Sequence, residues 1–556
     1  MRAQFFQLSV KQPARKHSFN MNLSSSLIPY PASVERAEGA LLFFPEIAIA
    51  YAPPFQRSAE LFAERVRANT GWPCPTHAIG AEGDALVQVR LVQDPAIANP
   101  EAYSLTIDDK AAQVTASGAP GAYYGMQTLL QLLPPAIFGD GIRAKIENNF
   151  EEKFGGIQEP LWQVPRVKIE DAPRFRWRGV MLDSSRHFQP IEWIQKFIDV
   201  LSQHKFNVFH WHLTDHQAWR VEIKKYPRLT EVGSKGSYSG TDANPFGIRE
   251  EASKGRTYYT QVQIRALVAY AAERHISIMP EIDLPGHCQS VVTAYPELGI
   301  TGPLTAFGQP EAVLNARPET LTFVRDVLTE VISLFPYPYL HVGGDEVDRS
   351  LWKNDLQTQE RMRELGLADE GELGAWFINQ MGEFLRGEGR KLVGYDEILE
   401  GNKLPPEATV MSWRSAEAAT AAAELGHDSI MSQGPPLYFI RYQGTIGSEP
   451  VSNSGYLPLE TLHQYDPVPK DMPKNLRGHL LGVQGHLWTE FMATIARLEY
   501  QAFPQICTLA EVAWSPLERP SYSDFLRRLV PHLRRLDCQD VGYRAPMEDL
   551  LERMQD

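Results

Sequence analysis

From Arg176 to about Ser515 the chain alternates short apolar runs with helix-patterned segments, and this rhythm limits its fold more than any other feature. Eight runs fit buried strands: Arg178–Leu182, Phe206–His210, Ile276–Glu281, Leu340–Gly343, Leu392–Gly394, Thr409–Trp413, Ser429–Ser432 and Leu480–Gln484. Between them lie segments with helical spacing, among them Ile191–Gln203, Gln261–Arg274, Pro318–Leu334 and Gly371–Arg390. Continuous apolar strands that alternate with helices imply a parallel sheet covered on both faces. Eight such units in roughly 340 residues fit a (β/α)8 barrel, a TIM barrel, with some long loops. An open doubly wound sheet competes, but no glycine-rich phosphate loop follows the first strand.

The chain has 556 residues, enough for two or three domains. A small α+β domain is expected over residues 28–165, ahead of the barrel, and residues 1–27 read as a polar extension. Within that domain Ala40–Ala50 and Leu86–Val92 read as strands and Arg57–Thr70 and Gly121–Leu133 as helices. Tyr103–Ile107 and Ala112–Ala116 read as a hairpin, and Asn148–Pro165 as a connecting stretch. Residues 166–556 would hold the barrel and a helical tail near Asp524–Leu536, packed on the barrel or on another subunit. The loop Gly233–Arg256 is rich in Gly and Ser and reads as surface loop, lid or subsite wall.

Charge and cysteine content exclude some functions. A net charge of −14 argues against nucleic acid or an anionic membrane as the main partner. No apolar run is long enough to span a bilayer. The first twenty residues carry basic groups but no apolar core, so they are not read as a signal peptide, and the sequence assigns no compartment. The four cysteines, Cys74, Cys288, Cys507 and Cys538, have no metal-finger spacing and suggest no disulfide framework; sequence alone does not decide whether Cys507 pairs with Cys538.

The polar groups gather where the strands end. Asp183, Arg186 and His187 follow the first strand. His210, His212 and Asp215 come with the second, and Glu281, Asp283 and His287 with the third. Asp345 and Glu346 follow the fourth, and Tyr395, Asp396 and Glu397 the fifth. The last three strands lead to Trp413, Tyr438, and Trp488 with Glu490. The C-terminal strand ends of such a barrel open on one face, where catalytic residues collect. One such residue alone is more often a hydrogen-bonded structural group than a catalyst. Eight strand ends together are hard to explain as packing. Adjacent acids such as Asp345 and Glu346 repel when both ionise, and burial raises one of them. Glycosidases use such unequal carboxyl pairs.

Several longer motifs sharpen this picture: RGVMLDSSRHF at 178–188, NVFHWHLTDHQAWR at 207–220, PEIDLPGH at 280–287, HVGGDE at 341–346 and GHLWTE at 485–490. With AEVAWSP at 510–516 they give a sequence that resembles the glycoside hydrolase family 20 β-N-acetylhexosaminidases over roughly residues 28–540. The resemblance implies a retaining, exo-acting enzyme that needs no cofactor or metal and releases terminal N-acetylhexosamine from a carbohydrate. In this family the substrate's 2-acetamido group is the nucleophile, through an oxazolinium-like intermediate. The resemblance assigns Glu346 as general acid/base, protonated at rest and tuned through Asp215 and His287. Asp345 would orient the acetamido N–H, and Tyr438 its oxygen. Arg186 and Glu490 would bind sugar hydroxyls. Trp413, Trp488 and Tyr395 would wall the pocket.

Three positions depart from the family pattern. Tyr395 stands where a tryptophan is usual, His216 replaces an acid, and Ile440 replaces an acid that would bind outer hydroxyls. The loss at Ile440 suggests relaxed discrimination between gluco and galacto sugars. Two other functions compete. His210 and His212 with His287 and Asp345 suggest a metal-dependent amidohydrolase-type barrel. A non-catalytic sugar-binding barrel is the other, although a lectin has no need of the Asp345/Glu346 pair. A chitin fragment, a cell-wall fragment or a glycan would each suit the implied activity.

Overall fold

The computed structural model describes residues 26–546 except 84, 140–161, 239–247, 251–255, 305–309, 402 and 446. All eight expected barrel strands form, as Trp177–Asp183, Val208–His212, Ser277–Glu281, Tyr339–His341, Lys391–Tyr395, Thr409–Ser412, Asp428–Met431 and Leu480–Leu487. They pair in parallel and in chain order, and the last closes on the first. The expected helices surround them; Ile191–Gln203 and Pro318–Leu334 keep their expected bounds, and Glu370–Gly387 starts and ends earlier than the pattern suggests. The strands are buried along nearly their whole length because the helices cover their outer faces and the barrel interior is filled. Register then sets the site: Asp183 lies beside His212, His212 beside Glu281, and Glu281 beside His341. Polar residues from four strands therefore share one layer under the open face.

The small domain is a seven-stranded sheet with the helices Gln56–Thr70 and Ala119–Leu132. Tyr103–Ile107 and Ala112–Ala116 pair antiparallel, as expected of a hairpin. Three expectations change. Ala40–Ala50 is not one strand: Ser33–Leu42 ends, the chain turns through Pro45, and Ala48–Tyr51 begins. Proline cannot donate to a sheet ladder, which suits the break. The boundary expected at residue 165 falls inside the strand Gln163–Asp171, which pairs with Ser33–Leu42 and Tyr103–Ile107 in the small domain's sheet. The end of the supposed extension, Ser26 and Leu27, is buried.

The two domains share a polar seam. Lys205 donates to Asp171 and to the Tyr103 hydroxyl, both at 2.8 Å, and the Trp514 indole donates to Asp171 at 3.0 Å. Arg178 on the first barrel strand pairs with Glu101. Gly121–Leu132 is buried on every face because this helix lies between its own sheet and the barrel, with Tyr123 donating to Ser202 at 2.8 Å. The tail helix Tyr522–Cys538 packs on this same seam. Arg528 bonds Glu511 and the Leu27 carbonyl, and Arg535 bonds the Ser26 and Gln131 carbonyls. All four cysteines are free. No helix among the described residues is long and apolar enough to cross a membrane. Most of the loop Gly233–Arg256 lies outside the described residues; its described part pairs Gly236–Tyr238 with Ile248–Glu250.

Candidate active site

A cavity of about 480 Å³ opens at the C-terminal ends of the barrel strands, within the range of small-ligand sites. Its walls include Arg186, Asp215, His287, Asp345, Glu346, Trp413, Tyr438, Trp488 and Glu490. Nine of the ten residues expected from the sequence thus meet in one pocket. The tenth, Tyr395, is only 1% exposed and lies beneath it, 4.5 Å from the His341 ring, with no hydrogen-bond partner for its hydroxyl among the described residues. It supports Trp413 and Trp488 from below, each 6.4 Å away, and does not wall the cavity.

The turn after the fourth strand carries the acid pair. Gly343 and Gly344 have φ of 69° and 90°, and Glu346 itself has φ 48°. A side chain at 343 would run into the Asp283 carboxyl, so glycine is required there for space as well as conformation. This sharp turn directs the two acids differently. Asp345 is 8% exposed at the floor, whereas the Glu346 side chain is 61% exposed at the mouth.

Behind them runs a chain of alternating carboxylates and imidazoles. His287 lies 3.6 Å from Glu346 and 3.7 Å from Asp345 through Nε2, and 3.3 Å from Asp215 through Nδ1. Asp215 also accepts from Arg186 at 2.7 Å and from His212 at 3.2 Å. The other nitrogen of His212 meets Glu281, which is fully buried among His210, His212 and His341. His216 packs its ring 4.9 Å from His287, so a packing contact replaces the acid expected there. Asp183 fastens the first strand end to the last by accepting from the backbone N–H groups of Arg186 and Thr489, each at 3.0 Å, and His187 meets the Thr489 carbonyl at 2.7 Å.

Electrostatics divide the two acids in an unexpected direction. Burial pushes the Asp345 carboxyl up to about 6; His287 opposes this, and the Glu281 and Glu346 charges add to it. The proximity of His287, 3.6 Å away, holds Glu346 below the usual carboxylate range, outweighing its partial burial. Burial disfavours a charged His287, yet the Asp215 carboxylate raises it well above an ordinary imidazole, and Asp283 adds to this whenever it is ionised. The electrostatics of the unliganded site therefore run against a Glu346 protonated at rest: they favour a charged His287 beside an anionic Glu346. Burial keeps the Tyr438 hydroxyl protonated and able to donate.

The aromatic wall is continuous. Trp413 and Tyr438 stack at 6.2 Å with planes 9° apart, and Tyr438 is 6.1 Å from Trp488. The Trp413 indole donates to Glu397 at 2.9 Å, which fixes its ring. Arg186 lies over Trp488, 5.0 Å from the ring centre.

In sequence and fold the chain is similar to named proteins. The family model described as glycosyl hydrolase family 20, catalytic domain, matches residues 175–517, and that family's domain 2 matches residues 24–172. The chain belongs to glycosyl hydrolase family 20. It is 41% identical to a β-hexosaminidase of Porphyromonas gingivalis over 88% of this chain, and it spans 60% of that relative's length. A β-hexosaminidase of Vibrio furnissii is 33% identical over 87% of this chain and 76% of its own. The structure of a family 20 exo-β-N-acetylglucosaminidase of Vibrio harveyi with N-acetylglucosamine superposes with a TM-score of 0.80. It is 29% identical, over 98% of this chain and 81% of that one.

Membership of family 20 sets aside the amidohydrolase-type alternative. In the structure His210 and His212 bond Glu281 inside the barrel, while His287 and Asp345 stand at the cavity floor. Ile440, singled out in the sequence, lines the family 20 pocket, and beyond the expected residues so do Asp283, Arg414, Arg441 and Asn453. Asp283 was legible as a strand-end acid. Arg441 and Asn453 were not, because they meet only through the pairing of Arg441–Tyr442 with Asn453–Tyr456.

Proposed function

We propose that this pocket releases terminal β-linked N-acetylhexosamine from carbohydrate, with retention of configuration, using the substrate's own 2-acetamido group as nucleophile. The observation that carries the reading is the unequal placement of two adjacent acids, Asp345 on the floor and Glu346 at the mouth. Asp345 accepts the acetamido N–H and stabilises positive charge as the ring nitrogen of the oxazolinium forms. Tyr438 donates to the acetamido oxygen as it attacks the anomeric carbon. Trp413 and Trp488 enclose the methyl group and one sugar face, and Arg186 and Glu490 bind hydroxyls. A bound leaving sugar covers Glu346 and removes its solvent, which raises a carboxyl. The proton then passes from His287 to Glu346 and on to the glycosidic oxygen. In the second half-reaction Glu346 takes a proton from water.

The lectin reading differs in outcome, since it predicts binding without turnover. Asp345→Asn is expected to lower kcat by at least ~10²-fold, the scale of a lost electrostatic stabiliser. A thiazoline that mimics the oxazolinium is expected to inhibit the native protein competitively and to bind the Asp345→Asn variant more weakly. Near-native turnover in that variant would sink the proposal. Because Asp345 acts as an anion, kcat/KM is expected to fall as pH drops through about 6.

Ile440 lines the cavity and is nearly buried, so no carboxylate from this position reaches the outer hydroxyls. Comparable kcat/KM is expected for the p-nitrophenyl gluco and galacto N-acetyl sugars. Ile440→Asp should separate them; a strong native preference for one sugar would refute the idea.

A further inference from the structure

We propose that Asp283 stands in the resting site as a neutral carboxylic acid that donates its proton to Asp345, and so acts as a positioning residue for it. The inference rests on the substrate-assisted reading, in which Asp345 is the acceptor of the substrate amide.

The geometry gathers two acids and an imidazole into one small cluster. Carboxylate oxygens of Asp283 and Asp345 and a ring nitrogen of His287 lie within 4.8 Å of one another. Both acids are buried, and each has its Oδ1 buried with no hydrogen-bond partner among the described residues. Two such anions side by side, each with an unsolvated oxygen, are costly; one proton between them removes the repulsion and supplies the missing donor. Asp283 cannot withdraw. Its backbone N–H is held by Thr214 Oγ1 at 3.0 Å, and its carboxyl fills the space left by the absent side chain of Gly343.

The surrounding charges favour Asp283 as the proton's holder. Facing it are Asp345 from the fourth strand end, Glu281 from its own strand, Asp215 from the second, Arg186 from the first, Tyr395 from the fifth, and His287. Arg186 is already bonded to Asp215, and His287 is shared among Asp215, Asp345 and Glu346. Burial raises Asp283 well above an ordinary aspartate and the Asp345 charge raises it further, His287 opposing. A neutral acid here needs no cation of its own, and its proton fixes the Asp345 oxygen that the substrate does not use.

Two variants separate this from a charged or merely structural role. Asp283→Asn keeps a neutral donor of the same shape, whereas Asp283→Ala removes it. The acidic limb of kcat/KM, set by Asp345, is read for both. A donor stabilises the Asp345 anion, so its removal in the Ala variant should raise the limb and lower kcat by on the order of 10²-fold. The Asn variant should retain at least about tenfold more kcat than the Ala variant, with its limb unmoved. If Asp283 is an anion in the native protein, Asn removes a neighbouring negative charge and the limb moves down, which overturns the proposal. Equal losses of kcat in the two variants also overturn it. Where the Ala variant does not fold, the limb of the Asn variant decides alone. Asp345→Asn, assayed alongside, keeps the two readings apart: native turnover there defeats substrate assistance, while a downward limb in Asp283→Asn defeats only the Asp283 assignment.

Discussion

Glu346→Gln is expected to lower kcat by at least ~10²-fold on a disaccharide, whose sugar alkoxide needs a proton to leave. The same variant should lose far less in the first step on a 2,4-dinitrophenyl glycoside, because that phenolate departs without one. Its second step should remain slow, since no base activates water. Azide is an anion that needs no base. It should restore turnover of the activated substrate and give the β-glycosyl azide. The side chain is 61% exposed, so the substitution leaves the packing intact and the loss reports chemistry. Equal losses on both substrates, or no rescue by azide, would remove Glu346 from the acid/base role.

Lys205→Met is expected to have the largest effect on stability. Lys205 and Asp171 are both fully buried and joined at 2.8 Å across the domain seam. Methionine fills similar volume but leaves a buried carboxylate without its cation, a change that costs about 3–5 kcal/mol when a buried pair is broken. Tyr103 and Trp514 still donate to Asp171, which places the expected loss toward the lower end of that range. Urea unfolding of the variant should show an earlier midpoint. An unchanged midpoint would mean that the seam carries little of the stability.

The barrel was legible because its strands are apolar on both faces and each ends in polar residues. The strand Gln163–Asp171 was not, since Pro165 and alternating charges disguise it and neither of its partners, Ser33–Leu42 and Tyr103–Ile107, is a sequence neighbour. The pocket residues were legible through their motifs, but their depths were not. Tyr395 shares a motif with pocket residues yet sits below them. The resting charge of Glu346 depends on a backbone φ of 48° and on its distance from His287, neither of which a linear pattern encodes. The Glu281 nest of three histidines is assembled only by strand register.

The bonds from Arg528 and Arg535 to the carbonyls of Leu27 and Ser26 have a consequence for biosynthesis. A ribosome makes the small domain before the barrel, and the helix that clasps Ser26 and Leu27 follows both. Until Tyr522–Cys538 emerges, Gln131 and the Leu27–Ile28 segment lack the cover they have in the finished molecule. The contact between the domains is therefore completed only after both have been made. A synthesis interrupted before this helix leaves those buried polar groups without their partners, a partly folded state open to chaperones and proteases.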